Sequence, residues 1–327
     1  MSECLPDFSI TRPKSVEQAI SEAQNAPSGR FLAGGTDLIV NMRRGLVETG
    51  NLIDLTGIPE LRKLKADQTG LTIGAGVTLS EISANESICR NYGAIAQASS
   101  LVAGPGHRVA ATIGGNLCLD TRCLYYNQSH WWRQANDYCL KFKGDLCHVA
   151  PAGKRCRAAF SGDMAPALMV HDAKLEIAGP EGRRQIAVVD LYREDGADHL
   201  QLEPGEFIVA VEVPPADATT VTSAYAKVGV RNAIDFPLAG IAVAYRKAAP
   251  TVHSFAVAIT GTNSAPVLLN GLEKLSEEDE PEAYFAELDK LVQKQVSPQR
   301  TSTTAAHYRR LSAASLARRL ARELSAL

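Results

Sequence analysis

Apolar residues recur at helical spacing between Ser15 and Gln24, where Val16, Ala19, Ile20 and Ala23 share one face and Ser15 is placed to act as the N-cap. The period then changes. Phe31 to Ala33 is a short apolar stretch that ends in Gly34-Gly35-Thr36 and leads into a helical pattern from Asp37 to Met42, and Asn51 to Thr56 returns as a buried strand. Gly70 to Val77 alternates like a strand at an exposed sheet edge. Thr78 and Glu81, three residues on, form a capping box for the next helix. A helix of small residues precedes Ala103-Gly104-Pro105-Gly106, a second glycine loop runs from Ala111 to Asn116, and Met164 to Ile177 reads as a helix followed by a strand. Strand, turn and helix in this alternation predict α/β units.

The pattern shifts after Gly179–Gln185, a stretch rich in Gly, Pro and charge. FIVAVEVP, SAYAKVGV, AGIAVAYR and SFAVAITG are four alternating runs suited to an antiparallel sheet with one covered face. SEEDEPEAYFAELDKLVQK and the closing TAAHYRRLSAASLARRLAREL have helical spacing, the latter with Tyr308, Leu311, Leu316, Leu320 and Leu324 on one side. The second half therefore predicts a separate α+β domain.

Composition narrows the function classes. Among 327 residues, 45% are hydrophobic and 21% charged, and the formal net charge is −2, so no broad basic field exists for nucleic acid or an acidic membrane. No apolar run reaches the roughly 18 residues of a membrane span, and the N-terminal stretch lacks a basic and an apolar region of signal type. A cytoplasmic protein is expected, with neither a nucleic-acid nor a membrane partner. In a reducing compartment, seven cysteines point to metal ligation or ordinary burial rather than disulfides.

Ala33 to Asp37, AGGTD, matches neither the three-glycine dinucleotide fingerprint nor the P-loop. Adjacent glycines between a strand and a helix nevertheless let backbone N–H groups converge on an anion, with the Thr36 hydroxyl beside them, which suits a pyrophosphate. The same residues also make an ordinary tight turn. ATIGGN, at Ala111 to Asn116, repeats the Gly-Gly-polar design, so two such loops could hold the two ends of one extended dinucleotide.

Five of the seven cysteines fall between Cys118 and Cys156, in a segment that also holds Trp131 and Trp132. Cys123, Cys139, Cys147 and Cys156 amount to a complete set of four thiolate ligands. Their spacing, C-x15-C-x7-C-x8-C, lacks the short C-x2-C pairs of many zinc sites and common ferredoxins, so spacing alone leaves zinc and an iron–sulfur cluster both open. Cys118 competes with Cys123 for the first position. His130 and His148 are read as surface or supporting residues, and Tyr125, Tyr126, Trp131, Trp132 and Phe142 as packing for the segment.

AGGTDL, GVTLSEI, VAGPGHRVAATIGGNL, SGDMAPAL, AYAKVGVRNAIDFPLAGIAVA and YRRLSAASLARRL, in this order, resemble the FAD-binding subunit of molybdenum hydroxylases, the family of carbon monoxide and xanthine dehydrogenases. The resemblance covers essentially the whole chain. It implies an α+β fold: a two-part FAD-binding domain of the vanillyl-alcohol-oxidase type, over residues 1–57 and 58–180, followed by an antiparallel sheet-plus-helix domain over 181–327. It assigns Arg30, Phe31, Leu32, Ala33, Gly34, Gly35, Thr36 and Asp37, with Thr112, Ile113, Gly114, Gly115 and Asn116, to the pyrophosphate and ribityl parts of FAD. Val102 would flank the cofactor, Asp163 supply a polar contact, Ile208 an apolar contact and Lys227 a basic contact near the ring.

In that family the connection from the second glycine loop to the aspartate is short, whereas here Asn116 to Asp163 spans 47 positions, with the added loop at 119–158. Cys118 lies on the shared skeleton and Cys123 in the addition, so Cys123 is taken as the first ligand. Beside a flavin, a [4Fe–4S] cluster is useful and zinc is redox-silent. A cysteine-bearing loop in such a flavoprotein resembles the β subunit of 4-hydroxybenzoyl-CoA reductase. That resemblance implies ferredoxin as electron donor, and a dimer of heterotrimers with a molybdenum-cofactor catalytic subunit and a [2Fe–2S] subunit. Electrons would run from cluster to FAD and on to the partner chains. A xanthine- or CO-type flavoprotein passing electrons to NAD or quinone, and a zinc-stapled assembly protein, are the alternatives.

Overall fold

The computed structural model describes residues 4–217, 219–231, 234–249, 252–274, 281–299 and 304–326. Ser276–Glu280 of the predicted acidic helix and Asn232-Ala233 of the lysine-bearing run lie outside them.

Three short strands, β1 (Ser9–Thr11), β2 (Arg30–Leu32) and β3 (Asn51–Asp54), form a parallel sheet in the order β1-β3-β2. Parallel strands need crossovers, and α1 (Val16–Asn25) and α2 (Leu38–Arg43) supply them. Ser15 caps α1 by accepting from Gln18 N, as its position predicts.

The middle sheet is antiparallel. Its order is β4 (Leu64–Asp67), β5 (Gly70–Gly74), β8 (Phe207–Val213), β6 (Lys174–Gly179) and β7 (Gly182–Ala187). Helices α3 (Leu79–Ala84), α4 (Glu86–Asn91), α5 (Gly93–Leu101), α6 (Pro105–Arg108) and α7 (Ile113–Leu117) follow β5. Helix α8 (His130–Ala135) belongs to the added segment, and α9 (Met164–Met169) leads back to β6. The predicted capping box is present: Thr78 accepts from Glu81 N, and the Glu81 carboxylate accepts from Thr78 N. Two expectations fail here. Gly70–Gly74 is an interior strand, because FIVAVEVP leaves the last sheet and pairs with both β5 and β6. Near-continuous burial along Phe207–Val213 is the signature of a central strand rather than a half-exposed one.

The last sheet is β12 (Val267–Leu268), β11 (Val252–Thr260), β10 (Ala239–Ala249) and β9 (Val221–Val228), all antiparallel. Both of its faces are covered, not one. Ala239, Ile241, Val243 and Tyr245 pack beneath α10 (Pro281–Gln295) and α11 (Ala306–Ser325), whereas Ala242, Ala244 and Ala258 join the principal core with α5 and α9. Small side chains permit that second contact; a Cβ on Gly93, at the start of α5, would stand 2.5 Å from Ser223 O of β9. Helix α11 also turns differently from its apolar pattern. Leu316, Leu320 and Leu324 are buried, while Tyr308 and Leu311 face out and Arg309 turns in to bond Leu238 O, Gln299 O and Gly261 O. Carbonyls left by neighbouring loops outweigh the leucine stripe.

Among the described residues, no helix is long and apolar enough to cross a membrane.

Candidate functional site

Strand β2 delivers the first glycine loop and α2 leaves it. Gly35 has φ +69, a left-handed turn that tips successive amides to one side. The N–H groups of Gly34, Gly35, Thr36 and Asp37 donate to no oxygen among the described residues, and the Thr36 hydroxyl also has no partner. Amides left without a protein acceptor around a left-handed glycine are what a loop for an anionic diphosphate requires. Asp37 does not cap α2. Its carboxylate pairs with Arg122 and accepts from Asn41 Nδ2 at 3.0 Å. Burial pushes the Asp37 pKa up, against the pull of the Arg122 guanidinium.

The second loop differs from the sequence-based picture of a matching nest. Ile113 N donates to Val77 O and Gly114 N to Ala75 O, fastening α7 to the chain after β5, while Gly115 N donates to Thr112 Oγ1 and Asn116 N to Thr112 O, so its donors are consumed within the protein. Gly114 is the glycine without room, since its Cβ would stand 2.8 Å from Ala75 Cβ. The two loops are nevertheless neighbours: a Cβ on Gly34 would collide with the backbone oxygen of Ala110.

Asn116 extends the site toward the last sheet. Its Oδ1 accepts from Met164 N at 3.0 Å, next to Asp163 at the start of α9. Asp163 and Lys227 are brought together as an ion pair of 2.9 Å, and Tyr225 Oη donates to the same carboxylate at 2.7 Å. Burial raises the Asp163 pKa, opposed by Lys227, and raises that of Tyr225. The two charges neutralise each other. Tyr225 was absent from the sequence-based site, although its place two residues before Lys227 puts it on the same strand face. Val102 ends α5 and is held by Arg108, whose Nη1 donates to its carbonyl at 2.9 Å. Ile208 is buried in β8 opposite Ile177, part of the principal core, and the Phe31 ring lies tilted against the adjoining Phe207, with ring centres 4.8 Å apart. Arg30 is exposed at the start of β2.

The added segment closes on itself. Arg122 and Ala159 exchange backbone hydrogen bonds of 2.7 and 2.8 Å, forming its neck. Beyond the neck, Cys123, Cys139, Cys147 and Cys156 line one cavity together with Tyr126 and Lys141. Cys123 is half-buried and the other three are buried. Burial pushes the Cys123 thiol up, as do Cys139 and Cys147 nearby; burial pushes Cys156 up to about 11, with Lys141 drawing it down. Among the described residues, no group of three or more His, Cys, Asp or Glu side chains stands as a site for a metal ion. Cys118 is elsewhere, packed against the principal core, where burial pushes it to about 12.

The segment rests on α2. Arg133, 1% exposed, donates from Nη2 to Arg44 O and Gly45 O at 3.3 and 3.1 Å, and its guanidinium lies 4.8 Å from the Phe142 ring centre. Leu46 packs with Tyr126 and Cys139, and Lys143 reaches Glu48 at 3.1 Å. One six-residue helix therefore leaves the first glycine loop at one end and runs at the other into the turn, Arg44 to Leu46, on which the four-cysteine module rests. Arg122 and Arg133 were not anticipated; in sequence they look like solvated charges, and only burial reveals them.

Comparison with known proteins agrees with this architecture. Residues 6–216 match the family model "FAD binding domain in molybdopterin dehydrogenase", and residues 223–324 match "CO dehydrogenase flavoprotein C-terminal domain". The aldehyde oxidoreductase FAD-binding subunit of Escherichia coli K12 is 35% identical over 217 residues, 64% of this chain and 68% of that protein. The carbon monoxide dehydrogenase medium chain of Hydrogenophaga pseudoflava is 29% identical over 266 residues, 81% of this chain and 77% of that one. A crystal structure of Cu,Mo-CO dehydrogenase superposes with a TM-score of 0.77 over 98% of both chains at 24% identity, which shows the fold.

Proposed function

The chain belongs to the family of FAD-binding subunits of molybdopterin dehydrogenases, and from that premise we propose that it is the electron-transfer subunit, carrying FAD and a [4Fe–4S] cluster, of a molybdenum-containing 4-hydroxybenzoyl-CoA reductase. The observation that carries the finer reading is the convergence of Cys123, Cys139, Cys147 and Cys156 on one cavity. One tetrahedral zinc ion, at about 2.3 Å from each sulfur, would hold its thiolates within about 4 Å of one another. A cubane instead gives each of four thiolates its own iron, and beside a flavin it is the redox-active way to use the four cysteines that line this cavity. When bound, FAD exchanges electrons in ones or twos and a [4Fe–4S] cluster exchanges them singly, chemistry that no side chain here supplies.

The residues have divided tasks. The open amides of Gly34 to Asp37 and the Thr36 hydroxyl fit the pyrophosphate, with Arg30, Phe31, Leu32 and Ala33 leading into them. Thr112 to Asn116 form a rigid wall beside that loop, Thr112 still having its hydroxyl hydrogen to offer. Val102, Ile208 and the Asp163–Lys227 pair are assigned to the remainder of FAD. Lys227 Nζ is held by Asp163 at 2.9 Å and donates to Asp235 O at 3.1 Å, which leaves one of its three donors for a ligand while the buried carboxylate stays paired. The four cysteines hold the cluster, and aromatic neighbours such as Tyr125 and Tyr126 limit water around it.

Similar proteins bear the names FAD-binding subunit or medium chain. We accordingly assign this chain a molybdenum-cofactor catalytic subunit and a [2Fe–2S] subunit as partners in a dimer of heterotrimers, with ferredoxin as donor. Those names favour a second reading, an FAD subunit of a xanthine- or CO-dehydrogenase-type hydroxylase, which would deliver electrons to NAD or quinone. Anaerobic purification with analysis of flavin, iron and labile sulfide, followed by reduction of the assembled complex with ferredoxin or NADH, separates them. Flavin with four irons per chain and reduction by ferredoxin supports the reductase; an iron-free flavoprotein that exchanges electrons with NAD overturns it.

A further inference from the structure

Lys141 is the unexplained group beside the four-cysteine cavity. Its side chain is 6% exposed, and its ammonium donates to Asp120 Oδ1 at 2.6 Å, to Thr121 O at 3.2 Å and to Thr121 Oγ1, while lying 4.4 Å from the centre of the Tyr126 ring. An ammonium has three donors, and all three are taken. Lys141 nevertheless lines the same cavity as the cysteines. It is therefore a cation fixed beside the thiols, unable to swing out to water and with no donor to spare for a sulfur. Its action on the cavity is that of charge.

We propose that Lys141 and Asp120 are positioning residues that set the reduction potential of the redox group held by the four cysteines: Lys141 raises the potential, and Asp120 offsets part of that effect. This rests on the cluster reading above. Accepting one electron adds one negative charge to the cluster. A fixed positive charge nearby favours that reduced state, and a fixed negative charge disfavours it. Burial makes the effect larger than at the surface, where solvent and salt screen it. Lys143 is the internal contrast, since its side chain is 52% exposed and paired with Glu48 outside the cavity.

The test is a redox titration of the holo subunit with dithionite and mediators, followed by electron paramagnetic resonance, with iron, labile sulfide and FAD measured in every sample. Lys141→Met should lower the cluster potential and Asp120→Asn should raise it, each by about tenfold in the reduced-to-oxidised ratio at fixed potential, or about 59 mV for one electron. Lys143→Met should leave it in place. A purely structural role for the pair would loosen the neck in both variants without moving the potential in opposite directions. Iron-loaded variants with unmoved potentials, or with shifts of the same sign, overturn the proposal. If Lys141→Met cannot be loaded, Asp120→Asn decides alone, and an unchanged or lowered potential sinks the idea. Wild-type protein without iron would instead defeat the cluster reading itself.

Discussion

Gly34 and Gly35 are adjacent but required for different reasons. Gly34 has no room, because its Cβ would overlap Ala110 O, whereas Gly35 sits at φ +69, where a β-branched residue is strained by roughly 1–2 kcal/mol. Gly35→Val should therefore lower flavin occupancy at a given FAD concentration while iron stays bound, as measured by fluorescence titration and metal analysis; unchanged affinity would dismiss the loop as the pyrophosphate cradle. At the second loop, Gly114 rather than Gly115 is the residue without space, since a Cβ on Gly115 meets only Thr112 Oγ1 at 3.2 Å. The cysteines separate in the same way. Serine at Cys123, Cys139, Cys147 or Cys156 should strip iron, alkoxide being the poorer ligand for a soft metal. Cys118→Ser should keep iron and lose roughly 1–3 kcal/mol of stability, because it places a hydroxyl against the principal core. Iron loss on Cys118→Ser with retention in Cys123→Ser would reverse the assignment.

At the scale of elements, α2 is the strut between the two candidate cofactor regions. The last carbonyls of a helix lack intrahelical donors, and Arg133 of the added segment supplies them at Arg44 and Gly45. Arg133→Met should destabilise the protein by roughly 1–3 kcal/mol and weaken retention of both FAD and iron, since the strut loosens at the module end. Loss of iron alone, with flavin affinity intact, would show that α2 does not couple them. The contact of α9 with β9 has its own signature. His171 is depressed to about 4 by burial, with a contribution from Arg246, and its Nε2 lies 2.9 Å from Ser223 Oγ. Between about pH 4 and the ordinary value near 6.5, the unfolded chain binds a proton that the folded chain refuses. Unfolding free energy should thus rise with pH across that window, by up to roughly 3 kcal/mol. Denaturant titrations of His171→Gln should show a flatter profile; an unaltered slope would place the proton uptake elsewhere.

For the whole molecule, the last sheet is not an appendage. Its Ala242, Ala244, Ala258 and Tyr225 share the principal core, and Tyr225 and Lys227 complete the Asp163 cluster. A chain cut after residue 216 should therefore fail to bind FAD and expose apolar surface, detectable by dye binding, even though the matched FAD-binding domain model ends there. The intact but isolated chain should hold redox-active flavin and remain inert toward 4-hydroxybenzoyl-CoA. Turnover by purified subunit free of molybdenum and other chains would overturn the relay assignment.

Local signals were legible in the sequence wherever one residue and its near neighbours decide the outcome. Ser15 and Thr78 cap their helices as predicted, the Gly34-Gly35 turn joins β2 to α2, and Cys123, Cys139, Cys147 and Cys156 stand out by number and crowding. Ordered motifs also disclosed the fold class and the FAD-binding family. Tertiary structure alone decided which strands pair and which charges are buried. Phe207–Val213 joins the middle sheet because pairing energy depends on partners distant in sequence, about which an alternating run says nothing. The second glycine loop turns from nest to wall because Val77 and Ala75 offer carbonyls to its amides. Arg122, Arg133 and Lys141 look in sequence like three solvated cations. Only folding takes Arg133 and the Lys141 ammonium out of water and half-buries Arg122, and a charge drawn from water is costly unless it finds partners within the protein.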